Sequence, residues 1–302
     1  MGPLTLESTF PRGDLKEGLQ ANRFRHPAIS VVKSFQCVLS RPERTTFKFF
    51  APSMPLNLTH PIAPPDARAE AMLPAGGGFP PSDRPLFLAA YGELCRIDLS
   101  GKRALEICGG HGLLAGLLAE TFPTAEVVGL DLYAVTGPEI DERLKHLPGL
   151  SYVAGNAFDL SEYPPESFDL IFGQAALHHL AHDTEGLCTQ VLRVLKPGGR
   201  LVFIFEPLGH NQLVAAIRAI RMAKHELPDE SNLYLSQFER MKSMGFSQCE
   251  VQVFNFLGYP MKAVSDRLLF LAMAIQKLDS WLFRSFPRLL RYGANCNVIF
   301  TK

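Results

Sequence analysis

From Leu99 onward, short apolar runs alternate with longer stretches whose apolar residues recur every three to four positions. The runs Ala104 to Cys108, Glu126 to Leu130, Leu150 to Ala154, Phe168 to Phe172 and Arg200 to Phe205 predict buried strands. Helical spacing over Leu113 to Phe122, Pro138 to Leu147, Thr184 to Leu195 and Gln212 to Lys224 predicts the helices that connect them. A helix over Leu235 to Met244 and strands over Glu250 to Phe256 and Asn297 to Thr301 complete the series. Ahead of it, Leu86, Phe87, Ala90, Leu94 and Ile97 fall on one helical face, with Ser82 or Asp83 as cap and Pro85 in the first turn. Alternation of this kind predicts a parallel α/β sheet with helices on both faces. The last strand follows no crossover helix of usual length, which leaves antiparallel insertion open.

Composition changes the picture at the N-terminus. Thirteen of the 23 prolines precede residue 86, and Pro52 to Pro85 is the densest part. Proline has no N–H and a fixed φ, so this stretch is expected to hold neither a regular helix nor a central strand. Residues 1–81 therefore read as a proline-rich, partly ordered arm, with Ile29 to Val32 and Thr46 to Phe50 as candidate short strands. Residues 82–302 read as the folded domain. Thirty Lys+Arg balance thirty Asp+Glu, which argues against a nucleic-acid-coating surface and predicts no nucleic-acid partner. The run Leu268 to Ile275 is far shorter than the roughly 20 apolar residues that span a bilayer. Glu7, Arg12, Asp14, Lys16 and Glu17 interrupt any apolar signal core. Six widely spaced cysteines without a C-x-x-C pair read as reduced thiols, and the expected location is the cytoplasm.

The stretch Leu105-Glu106-Ile107-Cys108-Gly109-Gly110-His111-Gly112 joins a strand to a helix. Glycines there permit a tight turn and bring backbone N–H groups to a ligand at a helix N-terminus. The next strand ends at Asp131, whose two carboxylate oxygens suit the two hydroxyls of a ribose. Gly110-x-Gly112-x-x-Ala115 also fits the dinucleotide fingerprint. Glu106 separates the two readings, because a carboxylate beside the loop repels a pyrophosphate and attracts an ammonium. A nucleoside cofactor with a cationic amino-acid end is favoured.

These residues, in this order, resemble the class I S-adenosylmethionine-dependent methyltransferases. Glu106 to Gly112 is similar to that family's acidic, glycine-rich first motif, and Asp131 to the acid that ends its second strand. Gly155-Asn156-Ala157 is similar to the loop after its third strand, and Phe168 to Ile171, followed by Gln174, to its fourth. Leu195-Lys196-Pro197-Gly198-Gly199-Arg200-Leu201 is similar to the turn before its fifth strand and is the most specific of these stretches. Ala176 to Leu180 looks like the small-molecule branch. Cys108 stands where the family has its first glycine, and Asn156 where it usually has an acid.

The resemblance implies a Rossmann-like sheet of seven strands, helices on both faces, and the last strand antiparallel. It implies S-adenosylmethionine as cofactor. Glu106 would hold the amino-acid end, and Cys108, Gly110 and Gly112 the backbone of the ligand. Asp131 and Leu132 would meet the ribose, and Asn156 and Ala157 the adenine, with Gln174 nearby. His178, His179 and Glu206 are the catalytic candidates, since they follow the fourth and fifth strands at the ligand edge. His178 and His182, four apart on one helical face and with His179 and Asp183 beside them, lack the third ligand and supporting shell of a metal site, so no metal is expected. The predicted reaction is methylation, with an oxygen acceptor favoured, of a small molecule or lipid-like partner. Two other readings fit the same residues: an NAD-dependent oxidoreductase, and a non-catalytic methyltransferase-like binding subunit.

An insertion is expected over residues 258–294, where the resemblance implies only a hairpin. From Gly258 to Arg291, Lys262, Arg267, Lys277, Arg284, Arg288 and Arg291 oppose only Asp266 and Asp279 among many apolar residues. A basic amphipathic segment of this kind can pack on the sheet, cover an apolar substrate or touch a membrane surface.

Overall fold

The computed structural model describes residues 56–60, 84–110, 112–133, 146–225, 232–257 and 269–302. The expected strands at 29–32 and 46–50, the helix over 138–147 for most of its length, His111 and residues 258–268 lie outside the described residues.

Among the described residues eight strands form one sheet: β1 (Asn57–Thr59), β2 (Arg103–Ile107), β3 (Glu126–Asp131), β4 (Leu150–Ala154), β5 (Phe168–Gln174), β6 (Leu195–Pro207), β7 (Gln248–Phe254) and β8 (Asn295–Thr301). Their order is β1-β7-β8-β6-β5-β2-β3-β4. β8 runs antiparallel to both β6 and β7, and every other neighbouring pair is parallel. The chain thus builds outward from β2 to β4, returns to β5 on the other side of β2, and builds the opposite way. That reversal opens a crevice at the carboxyl ends of β2 and β5, where open α/β sheets bind ligands.

The strands are apolar on both faces because both faces are covered. Leu105, Ile107, Ile171 and Phe203 point into one core, shared with α4 (Thr184–Val194) and α6 (Leu235–Ser243) through Leu187, Val191, Phe238 and Met241. The alternating residues Ala104, Leu170, Phe172, Val202 and Ile204 point into a second core under α1 (Arg84–Cys95) and α2 (Leu113–Thr121). Tyr91 ties these two helices together, its hydroxyl donating to Leu117 O at 2.9 Å. Two short helical turns, α3 (Leu177–Leu180) and a 3-10 turn (Ala181–Asp183), precede α4, and α5 (Gln212–His225) follows β6. Within the expected insertion stand α7 (Leu269–Ser285) and a 3-10 turn (Pro287–Tyr292). Among the described residues no helix is long and apolar enough to cross a membrane.

The expected Rossmann-like sheet with its antiparallel last strand is present, and among the described residues it gains an eighth strand at the edge, where Asn57–Thr59 of the proline-rich stretch pairs in parallel with Glu250–Gln252 of β7. Prolines confine it to the edge, where only one side of the strand must donate. The Lys196-Pro197-Gly198-Gly199 stretch turns just inside the start of β6, where it interrupts the pairing with β5. Phe168 faces Leu195 while Leu170 faces Arg200, so the extra residues loop outward around Gly198, whose φ is 73°.

Candidate cofactor cradle and catalytic edge

The loop between β2 and α2 bends through three left-handed residues, Cys108 at φ 55°, Gly110 at 52° and Gly112 at 73°. Several N–H groups of the loop and of the helix start after it are committed. Gly109 donates to Leu130 O, Gly110 to Asp131 Oδ2 at 2.8 Å, and Ala115 at the start of α2 to Glu106 Oε2 at 3.1 Å. Glu106 is buried, and that burial pushes its carboxyl up to about 8. The Cys108 thiol is pushed up to about 12 by burial, with Asp131 and Glu206 adding to the effect, so it stands as an inert thiol.

Gly112 answers to a packing demand that the spacing of the motif does not reveal. Tyr152 of β4 lies across it and donates its hydroxyl to Gly112 O at 2.9 Å. A Cβ on Gly112 would stand 2.3 Å from the Tyr152 ring, and one on Gly129 would stand 2.7 Å from it. Gly110 is the open member, with nothing within 4 Å of where a Cβ would sit. The loop is therefore closed beneath by Tyr152 and bare above Gly110.

Beside that bare surface, Asp131 ends β3. Its Oδ2 takes the Gly110 N–H and its Oδ1 the Tyr133 N–H at 3.1 Å, so each oxygen retains a lone pair for a further donor. Leu132 and Tyr133, directly after it, are 63% and 76% exposed, a large apolar surface next to the open backbone of Gly110. Asn156, one turn beyond β4, is exposed and caps its own loop, Oδ1 accepting from Phe158 N at 2.9 Å. Ala157 is buried, and Gln174 stands half-buried at the end of β5.

The second half of the edge is built around a carboxylate. β5 ends at a left-handed residue, Ala175 at φ 48°, and β6 kinks at another, Phe205 at 66°, where it breaks register with β8 between Phe203 and Glu206. This swings Glu206 under α3. Its Oε1 accepts from Ala176 N at 2.7 Å and Leu177 N at 2.8 Å, and its Oε2 from His178 N at 3.2 Å. The fourth partner is His178 Nδ1, 2.9 Å from Oε2. A carboxylate gathering three backbone N–H donors is an acceptor, so Nδ1 carries the proton and Nε2 is left as the basic nitrogen of His178. The His179 ring is exposed and 4.1 Å from that of His178. His182 packs on Phe158 at 5.0 Å and thereby joins this half to the Asn156 loop.

The expectation that Glu206 touches substrate needs correction. Its side chain has no exposed surface, so it reaches a ligand only by way of His178. His178 itself is buried and its neighbour His179 faces outward. Among the described residues no group of three or more His, Cys, Asp or Glu could hold a metal.

Residues 105–203 match the family model described as a methyltransferase domain. That span runs from β2 into β6 and contains the glycine loop, Asp131, Asn156 and His178. The chain carries a class I S-adenosylmethionine-dependent methyltransferase domain. Over 107 residues, 35% of this chain, it is 41% identical to the phthiotriol/phenolphthiotriol dimycocerosates methyltransferase 1 of Mycobacterium ulcerans, of which 38% is covered. Over 113 residues, 37% of this chain, it is 39% identical to the fatty-acid O-methyltransferase of Mycolicibacterium smegmatis, of which 40% is covered. The chain thus spans less than half the length of these curated relatives. Among solved structures, the phosphoethanolamine N-methyltransferase 2 of Haemonchus contortus, in complex with S-adenosyl-L-methionine, superposes with a TM-score of 0.49 at 24% identity. That match covers 70% of this chain and 51% of the other.

The methyltransferase domain's own residues fit a donor with a ribose and a cationic end better than a dinucleotide. A pyrophosphate needs the free N–H groups of the glycine loop, yet Gly110 N–H is held by Asp131 and Ala115 N–H by Glu106. The Asp131 carboxylate in that place opposes a phosphate, and the buried Glu106 carboxyl gives up its proton more readily beside a cation than beside an anion.

Proposed function

We propose that this protein transfers the methyl group of S-adenosylmethionine to an oxygen of a lipid-like acceptor. The observation that carries the reading is the His178–Glu206 pair, buried at the carboxyl edge of the sheet beside the Asp131 and Asn156 cleft. The two relatives named above support the acceptor class, since one is named for phthiotriol dimycocerosates and the other for fatty acids.

The sulfonium supplies an electrophilic methyl group and a neutral leaving group, so the protein has little covalent chemistry to do. Its work is positioning and proton management. Asp131 takes the ribose hydroxyls on the lone pairs left by its two backbone bonds. Leu132 and Tyr133 offer an apolar face to the adenine, and Asn156 an acceptor for its amino group. Glu106, held near 8 by burial, ionises beside the ammonium of the donor's amino-acid end. On the acceptor side, His178 takes the hydroxyl proton at Nε2 while Glu206 holds Nδ1–H and stabilises the charge that forms. This is the arrangement of an oriented imidazole base.

The test is calorimetric titration with S-adenosylmethionine and S-adenosylhomocysteine, with NAD as control, followed by a methyl-transfer assay on long-chain alcohols and fatty acids. Binding of the two sulfur nucleosides but not NAD, and alcohol methylation lost in His178→Asn, are the expected results. Failure to bind either nucleoside refutes the reading. Binding without transfer to any acceptor leaves a non-catalytic subunit.

A further inference from the structure

Helix α7 buries Phe283 on its inner side, yet it also turns apolar residues outward. Its inner side carries the polar anchors. Asp279 is buried and accepts from Phe256 N at 2.9 Å and Leu257 N at 2.8 Å, capping the loop that leaves β7. Ser280 Oγ lies 3.0 Å from His60 Nε2, while His60 Nδ1 lies 2.8 Å from Val253 O and its ring packs at a tilt against Phe283, 5.1 Å between centroids. These contacts fix the rotation of the helix. They leave its outer side apolar, with Leu271, Leu278 and Trp281 exposed by 41%, 43% and 57%. At helical spacing these three form one stripe, and Phe286, 53% exposed, stacks edge-on to Trp281 at 6.2 Å and extends it.

Charge decides what covers the stripe. Lys277 and Arg284 flank it, and Arg288 and Arg291 follow in the next turn, all exposed. From Leu269 to Tyr292 they face one acid, the buried Asp279, in a protein of zero net charge. No ion pair joins these four cations to an acid among the described residues. The location adds to this. The segment links the carboxyl end of β7 to the amino end of β8, so it lies on the same sheet edge as the cleft. Arg291 is close enough to His210, after β6, to join burial in lowering that imidazole.

We propose that the outer face of α7 and the following 3-10 turn dock this protein on an anionic bilayer surface, with Trp281 and Phe286 inserted and the arginines on lipid phosphates. An interfacial helix needs an apolar face flanked by cations, and both are present here on a helix whose opposite face is already anchored. The inference rests on this face alone and not on the acceptor, so it stands or falls separately from the methyl-transfer reading.

Trp281 is the only tryptophan, so intrinsic fluorescence reports on the face directly. The full chain is titrated with phosphatidylcholine vesicles and with vesicles in which about a third of the lipid is phosphatidylglycerol, a surface charged enough to attract basic segments. The expected result is a blue shift and co-sedimentation with the anionic vesicles only, reversed by raising the salt. Arg284→Glu/Arg288→Glu/Arg291→Glu and, by sedimentation, Trp281→Ser/Phe286→Ser each lower partitioning at least tenfold while the melting temperature holds. Equal binding to neutral vesicles overturns the charge argument. A blue shift that follows protein concentration without vesicles assigns the face to a second copy. Emission already blue and indifferent to vesicles assigns it to this chain's own residues. Either of the last two outcomes overturns the proposal.

Discussion

The two halves of the ligand edge are built on opposite principles. On the β2–β3–β4 side the surface is shaped by backbone: left-handed residues at 108, 110 and 112, and N–H groups shared with Asp131. Side chains there are exposed or exchangeable, and Cys108 and Asn156 both stand where the resemblance implies other residues. On the β5–β6 side the backbone is secondary and one side chain organises everything. Glu206 draws in three N–H groups and an imidazole, and is sealed from solvent. A cradle for a common cofactor tolerates substitution of side chains but not of shape. A base must have its proton placed, and that tolerates no substitution of chemistry.

The largest effect should fall on Glu206. Glu206→Gln keeps the shape but turns one acceptor into a donor facing His178 N–H and Nδ1–H. Either those donors go unsatisfied, at about 1–3 kcal/mol each, or the imidazole changes tautomer and loses its basic Nε2. The expected outcome is a kcat lower by about 100-fold or more, a range typical of lost general-base catalysis. The KM for S-adenosylmethionine should hold, and the pH–rate profile should lose its rise on the acidic side, where a general base has to shed its proton. If kcat and pH profile are unchanged, His178 is not the base and the contrast between the halves collapses.

Next in size is Gly112→Ala, which attacks the cradle through shape. A single methyl group would have to share space with the Tyr152 ring at 2.3 Å in a backbone already at φ 73°. The left-handed conformation costs about 1–2 kcal/mol for a residue with a Cβ, and overpacking about 1–3 more. A stability loss of roughly 2–5 kcal/mol by denaturant unfolding is expected. Tyr152→Ala in the same chain should recover the steric part and leave the backbone part. No recovery would mean that Tyr152 does not set the glycine.

How much of this was legible beforehand follows the same division. The central strands announce themselves because both faces are covered, so their residues form unbroken apolar runs. The placement of Glu106 and Asp131 at the carboxyl edge was readable from the ends of the apolar runs that precede the loops. β1 was not, because three residues among prolines show no periodicity and their partner in β7 lies roughly 190 residues away. Glu206 was placed at the right edge with the wrong task. The available signal was an acid closing the apolar run Leu201 to Phe205, which must be paired if it is buried. What no spacing could show is that its partners come from residues 176–178. The outward apolar stripe of α7 was hidden for a similar reason. Amphipathicity gives two faces, and only the anchors Asp279 and His60 say which one is inside.

Glu106 tests whether the cradle is as exchangeable as its exposed members suggest, because it is buried like Glu206. Its carboxyl titrates near 4.5 when unfolded and about 8 when folded. Between those values the native state holds a proton that the unfolded chain has released, so stability falls as pH rises from 4.5 to 8. Glu106→Gln has no such proton. Melting temperatures measured at pH 5 and pH 8 should therefore show the wild type losing more than the variant across that interval. Parallel curves would mean that Glu106 is ionised in the free protein and that the cradle carries a fixed charge.

The smallest expected effect is at Cys108, where the two contributions nearly cancel. Glycine would relieve the left-handed backbone at φ 55° by about 1–2 kcal/mol. It would also give up the half-buried side chain, about 0.8 kcal/mol per buried CH2-sized group, and add freedom to the unfolded chain worth about 0.4–1 kcal/mol. Cys108→Gly should therefore shift the denaturant midpoint by less than about 1 kcal/mol, with the S-adenosylmethionine affinity unchanged within threefold. A gain well above that would mean the cysteine is held against strain, and the thiol would then have to be counted with Glu206 among the groups whose chemistry matters. A null result keeps it where its geometry puts it, as one more side chain in a cradle defined by its backbone.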